Sequence, residues 1–247
     1  MHIGIETLFR REERNNLCSE IVAGKEVLKK CRKFLLLTLC SAAFYGFTMG
    51  LGHSVAQAFA SAIKVFLLFM LTLVVCVPTL HFTGLLLGSR ILFAQTLCVL
   101  LAGIALTCTF LGAFAPISAF FLFSGSSYEF LLLLHVGIFA CCGTVGLISV
   151  KQNMVGISWL LCNRSPQDDS EADWKNVANF PDVGMEHAQH RTSKLLMLWF
   201  LLYMFIGSQT AFLLSPFVGR EQQFMLFASD KGDFFSYVLK TFGDLLR

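Results

Sequence analysis

Apolar and polar positions along this chain fall into long blocks rather than a short-period alternation. Five apolar blocks stand out, residues 34–51, 65–85, 91–113, 128–150 and 195–214, each separated from the next by polar residues or helix breakers. A helix needs about 20 predominantly apolar residues to cross roughly 30 Å of hydrocarbon, so each block reads as one transmembrane helix. The expected fold class is all-α: a polytopic helical membrane protein with five spans. The third block is the most informative, because no charged side chain occurs between Arg90 and Glu129. That run is too long for one span and too short for two spans with a turn. Pro116 lacks an N–H and clashes with the preceding turn, so the helix is expected to kink or end there. One span from Ile91 to about Ala113 follows, with Ile117 to Phe123 lying at the interface or folding back on the other helices.

The segments outside the blocks carry a second pattern. In residues 1–33, Leu17, Ile21, Val27, Leu28 and Cys31 recur at spacings near three and four, while Lys25, Lys29, Lys30, Arg32 and Lys33 gather before the first span. This suits an amphipathic helix on the bilayer surface, and equally a solvated basic tail. Between spans one and two, Val55, Phe59 and Ile63 share a helical face, so the connection Ser54 to Lys64 predicts a short interfacial helix. Residues 151–194 form the longest polar segment, with an acidic cluster at Asp168, Asp169, Glu171 and Asp173; that composition predicts a mobile loop. After span five, Pro216 and Gly219 predict a stop and a turn. In the tail 215–247, Phe234, Phe235, Val238, Leu239, Phe242 and Leu245 then predict a second amphipathic helix.

Within the spans, small residues and breaks are the local signals. Ala42, Gly46 and Gly50 recur every four residues, and Gly84 and Gly88 repeat that spacing; such stripes let helix backbones approach closely. In span four, Gly137, Gly143 and Gly146 predict another close-packed surface. Pro78 predicts a kink in span two, with hydroxyls such as Thr79 available to the carbonyl it frees. The candidate intramembrane polar residues are His81, Gln95 and His135. Buried ionisable groups mark ion or proton paths by default, whereas a neutral, hydrogen-bonded histidine between helices is the simpler reading of His135 and His81.

Composition sharpens the class. The chain is 55% hydrophobic and 14% charged, against about 25% charged in soluble domains. Basic residues near span ends set orientation. With the N-terminus inside, ten Lys and Arg (Lys25, Lys29, Lys30, Arg32, Lys33, Arg90, Lys151, Arg164, Arg191, Lys194) face Lys64 and Arg220 outside. The expectation is N-terminus inside and C-terminus outside, in a bacterial cytoplasmic membrane, with the first span uncleaved. Six of the nine cysteines fall inside spans, where a free thiol behaves as a small hydrophobe; Cys31, beside the first span, is a candidate for acylation.

Chemistry-bearing motifs are few. Glu186, His187 and His190 are close along the chain, but the HExxH order is absent, as are a Walker loop, a GxSxG elbow and a dinucleotide GxGxxG. No catalytic residue, cofactor or metal site is expected, and no nucleic-acid partner. The expected partners are the lipid bilayer and other membrane subunits, or a second copy of the chain. Asn163 heads an NRS sequon that this orientation places on the cytoplasmic side.

Near the end of span five, Gly207 and Gln209 are followed by Leu214, Pro216, Phe217, Val218 and Gly219. This Leu-x-Pro-Phe-aliphatic-Gly ending resembles the last span of a group of bacterial multi-span proteins, which usually carry Arg where this chain has Ser215. The layout of a cytoplasmic N-terminal region, five spans and an outward C-terminus resembles Yip1-type membrane proteins. The resemblance implies a membrane fold and brings no catalytic residues. Two functions are then expected to compete: a non-catalytic assembly or scaffold component, and a transporter or channel subunit with a path near Pro78, His81, Gln95 and His135.

Overall fold

The structure is a computed structural model that describes residues 11–24, 26–52, 54–86, 91–162, 185–214 and 234–245. It contains seven helices among those residues: α1 Arg11–Val22, α2 Val27–Gly50, α3 Val55–Leu86, α4 Phe93–Phe123, α5 Tyr128–Cys162, α6 Met185–Leu214 and α7 Phe234–Leu245. No strand occurs among them. Five helices, α2 to α6, are long and apolar enough to cross a membrane, so the all-α, five-span class read from the apolar blocks stands at that level.

Successive long helices run in opposite directions. The α2–α3 hairpin is joined by a few residues, and Gly46 of α2 faces Ser61 and Ala62 while Gly50 faces Ala58. α2 and α4 run parallel, with Ser41 beside Gly112 and Gly52 beside Leu122. α4 and α5 run antiparallel, crossing where Gly103 faces Gly146 and Val150. α6 lies along α3, where the Trp199 indole N–H donates to the Thr79 hydroxyl at 3.3 Å.

α4 is the centre of this arrangement. It packs against α2, α3 and α5 and touches α1, and an unbroken run from Cys98 to Cys108 on it is buried. A helix that is apolar all round belongs in a core, and the uncharged block supplies one. α6 is its opposite, with Met197, Leu198, Leu201, Leu202 and Phe205 exposed.

Three expectations need correction. α4 does not end near Ala113; it continues through Pro116 to Phe123, and Ile117 to Phe123 form its last two turns. Proline removes one backbone hydrogen bond, here to the Gly112 carbonyl, and packing along both sides of α4 retains the helix. Pro78 likewise lies inside a continuing helix. The Thr79 hydroxyl bonds the carbonyls of Cys76 at 2.9 Å and Val75 at 3.3 Å. Pro216 lies outside the described residues.

Second, Ser54 to Lys64 is not a separate interfacial helix. It forms the N-cap and opening turns of α3, which starts at Val55. Val55, Phe59 and Ile63 are its exposed face, while Gln57, Ala58, Ser61, Ala62 and Lys64 point inward. Lys64, counted above as an outer-loop charge, is therefore a buried residue of a span helix.

Third, α1 does not lie apart on a surface. Leu17, Cys18 and Ile21 are turned into the bundle, and α1 packs against α5 and α4. Lys30, at the start of α2, is buried and paired with Glu20 at 2.6 Å, whereas Leu28 is exposed. Between α1 and α2 the chain turns at Gly24 and Glu26, both in the left-handed region (φ 71° and 52°). The Lys29 ammonium bonds the Glu26 carboxylate there and holds its pKa below the usual carboxylate range.

Candidate functional site

A buried polar cluster joins the three central helices. Tyr45 of α2 and Ser118 of α4 converge on His135 of α5: the phenol oxygen lies 2.8 Å from Nδ1, and the Ser118 hydroxyl 3.4 Å from Nε2. All three residues are buried. Tyr45 and Ser118 each precede the end of their helix by five residues and His135 follows the start of α5 by seven, which puts the cluster roughly 8 to 10 Å inside the bundle. Aromatic rings wall it: Tyr45 meets His135 and Phe139 edge-on, and Phe139 stacks on Phe69 of α3.

The chemistry of this cluster is a matter of proton counting. Neutral imidazole has one N–H donor and one acceptor nitrogen, and a hydroxyl can serve either. Both ring nitrogens are satisfied in either tautomer, provided the hydroxyls turn. A serine nucleophile needs a histidine nitrogen free to take its proton, held so by an acceptor on the other nitrogen. With Tyr45 donating to Nδ1, Nε2 carries the proton and donates to Ser118; in the other tautomer the roles reverse, and in both the three side chains fasten α2, α4 and α5 together.

The other candidate polar residues go elsewhere. Gln95, buried near the start of α4, accepts from the Leu92 N–H at 3.0 Å, and its amide donates to the Ile21 carbonyl at 3.0 Å. Ile21 is in the last turn of α1, whose carbonyls lack intrahelical donors, so Gln95 caps both helices. The Cys18 thiol reaches Asn153 of α5 at 3.7 to 3.8 Å beside it. His81 Nδ1 lies 3.4 Å from the Thr96 hydroxyl, with Phe93 edge-on to the ring. Sequence reasoning thus found Gln95, His81 and His135 but none of their partners. Tyr45 and Ser118 read as ordinary span residues, and only the fold brings them to His135 across sequence gaps of 90 and 17 residues.

The small-residue positions sort in the same way. Ala42 is buried; Gly46 and Gly50 meet α3, where an added Cβ would fall 2.6 Å from the Ser61 carbonyl oxygen and 2.5 Å from Ala58 Cα respectively. Ala58 and Ala62 return the same spacing from α3, a pairing hidden by the reading of that segment as a connection. Gly84 lies two residues before the end of α3, and Gly88 falls outside the described residues. At the α4–α5 crossing a Cβ on Gly146 would lie 1.9 Å from Thr107 Oγ1. A shallow crevice opens beside it, lined by Gly103, Thr107, Gly143, Gly146, Trp199 and Tyr203. Among the described residues no group of three or more His, Cys, Asp or Glu is arranged to hold a metal ion. The side chains of Glu186, His187 and His190 lie outside the described set.

These features define a class: an all-helical protein with five helices suited to crossing a membrane, fastened internally by small-residue contacts and isolated hydrogen-bonded clusters. Comparison with known proteins adds no family to that class, since no protein-family model, curated protein or solved structure matches the chain.

Proposed function

We propose that this protein is a non-catalytic integral membrane protein, an assembly or scaffold component of a membrane complex, oriented with its N-terminus inside and its C-terminus outside a bacterial cytoplasmic membrane. The observation that carries the reading is where the bundle spends its polar groups. His135, His81 and Gln95 each bond a neighbouring helix; His81 reaches Thr96, next to Gln95 on α4, while His135 lies far from both. Gln95 and Ser118 are separated by 23 residues of α4, roughly 35 Å along the axis, with the buried apolar run between them. A conducting path needs polar groups or water at close intervals; a scaffold needs tight helices and exposed apolar surface. α6 offers such surface along Met197 to Phe205, and α7 leaves Leu239 and Phe242 uncovered beside α5 and α6. These faces suit lipid or the helices of partner subunits.

The basic asymmetry supports the orientation. Lys29, Arg32 and Lys33 sit at the end of the bundle where α2 starts. Moving Lys64 from a loop into α3 removes one of two opposing charges and strengthens the bias. The rival reading, a transporter or channel subunit with a path near Pro78, His81 and His135, predicts flux. The test is twofold: purification from native membranes in lipid nanodiscs, and reconstitution into liposomes. A stoichiometric membrane partner with no ion or proton flux above protein-free vesicles is the expected outcome. Flux that disappears in His135→Ala would overturn the scaffold reading.

A further inference from the structure

The opening turns of α2 divide their side chains between the bundle and the outside. Lys30, Phe34 and Thr38 are buried, and the Lys30 ammonium meets the Glu20 carboxylate at 2.6 Å. The outward face carries two files of exposed residues, Leu28, Arg32 and Leu35 in one and Lys29, Lys33 and Leu36 in the other. With 3.6 residues per turn, each file stays within roughly 60° of helix surface. Arg32 and Lys33 lie three and four residues from Lys29, so the three cations are neighbours on that face and span only about 6 Å of the helix axis. Glu20 pairs with Lys30 and Glu26 with Lys29. Of these four cations, Arg32 and Lys33 are the two that no carboxylate among the described residues pairs with.

We propose that this face binds an anionic phospholipid, its phosphate held by Arg32 and Lys33 and an acyl chain lying along Leu35 and Leu36. α2 is long and apolar enough to cross a membrane, and the cations interrupt its exposed apolar face rather than ending it. Leu28, 85% exposed, stands one turn before Arg32, and Leu35 and Leu36, 38% and 50% exposed, stand one turn after. That bracketing fixes a level. Placed higher, Leu28 would stand in water; placed lower, Arg32 and Lys33 would stand in hydrocarbon, where a charge is costly. The cations therefore belong at the boundary of headgroups and acyl chains, which is where lipid phosphates lie. Charge then selects the lipid. A zwitterionic headgroup brings an ammonium along with its phosphate and leaves the two surplus positive charges unmet, whereas an anionic headgroup offsets them. The Arg32 guanidinium can give a phosphate two parallel N–H bonds, and Lys33 adds a point charge beside it. Lys30 takes no part, since it is turned inward to Glu20. The consequence is positional: a lipid held here sets the depth at which α2 enters the membrane, and the Lys30–Glu20 pair ties α1 to that same turn.

The experiment uses the whole protein in detergent micelles supplied with equal, limiting amounts of phosphatidylglycerol and phosphatidylcholine, and native mass spectrometry counts the lipids retained. Wild type is expected to prefer phosphatidylglycerol by about fivefold, the effect of a single Lys or Arg at an anionic surface. The double variant Arg32→Gln with Lys33→Gln should bring the ratio close to one, while Lys240→Gln, which removes an exposed cation from α7, should leave it unchanged. Equal retention of the two lipids by wild type, an undiminished preference in the double variant, or the same loss in Lys240→Gln would overturn the proposal. Inorganic phosphate at millimolar concentration should not displace the lipid; displacement would assign the cations to free anions instead. A measurement on wild type alone covers the case of a variant that does not fold. Phosphatidylglycerol with a photoreactive acyl chain should crosslink within residues 28–40, and crosslinks confined to other helices would reject the site.

Discussion

Two sets of glycines in this protein lie in apolar spans and differ in fate. On α2, Gly46 and Gly50 lie against the α3 backbone with no room for a methyl group, whereas on α5, Gly137 and Gly143 have no atom within 4 Å of an added Cβ. Both sets lie in apolar helices with small neighbours. The first set meets a reciprocal stripe, Ala58 and Ala62, presented by the antiparallel partner of a tight hairpin. The second set has no such stripe opposite it, and α6 leaves room at the crevice beside Gly143. A small-residue repeat therefore states that a helix can be approached closely; whether it is depends on what the next helix brings.

The comparison is broken most severely at Gly50 and Gly46. A Cβ at either position collides with backbone rather than with a side chain that could move, so α2 and α3 must separate. Gly50→Leu and Gly46→Leu are each expected to destabilise the fold by about 3 kcal/mol, the upper range of overpacking costs, seen as a large fall in melting temperature in detergent. An unchanged melt would show that the hairpin contact is not as close as described.

The polar cluster ranks next. Tyr45→Phe removes the hydroxyl from His135 and leaves a buried ring nitrogen without its partner. Interhelical hydrogen bonds inside membranes are worth about 0.6 kcal/mol on average and about 1.7 at most, so a loss of about 1 kcal/mol is expected. A double-mutant cycle with His135→Leu checks it: coupling near zero would mean that the 2.8 Å contact contributes nothing.

Gln95→Leu tests the same principle at the other end. It withdraws the donor that caps the last turn of α1 and leaves that helix held by its apolar face, the Cys18–Asn153 contact and the Glu20–Lys30 pair. Faster hydrogen exchange across residues 11–22, with exchange in α4 unchanged, is the expected result, corresponding to about 1 kcal/mol. Equal protection in both proteins would assign the docking to the other contacts of α1.

These outcomes also mark how far the sequence was legible. The apolar blocks announce five helices because hydrocarbon thickness sets a length that composition can match. The Gly46–Gly50 stripe is legible for the same local reason. What eluded local reading is whatever depends on a distant partner. Ser54 to Lys64 looks like a connection because Gln57, Ser61 and Lys64 are polar, yet that face is turned inward and each of the three is engaged in an interaction. Pro116 looks like a stop because its cost is local, while the packing that outweighs it comes from α2 and α5. His135 is legible as an oddity, but Tyr45 and Ser118 become its partners only through the parallel run of α2 and α4. The basic segment before span one reads as a surface helix because the sequence shows the apolar face of α1 without the Asn153 and Gln95 groups that receive it.

The smallest expected effect is the sharpest test of the opening comparison. Gly137 and Gly143 face open space, so a side chain added there displaces nothing within the protein. Gly137→Ala should leave the melting temperature unchanged or raise it slightly, because alanine is favoured over glycine in a helix interior by about 1 kcal/mol. Gly143→Ala is expected to behave alike, its Cβ pointing into the crevice between α5 and α6. The measurement is a melt of each variant beside Gly146→Ala, whose methyl group would overlap the Thr107 hydroxyl and the Gly103 carbonyl oxygen and must destabilise. Three glycines within ten residues of one helix then give opposite signs from a single added methyl group. If all three substitutions lowered stability equally, the α5 face would be covered in the folded protein by something beyond the described helices, and the distinction between touching and open glycines would fall.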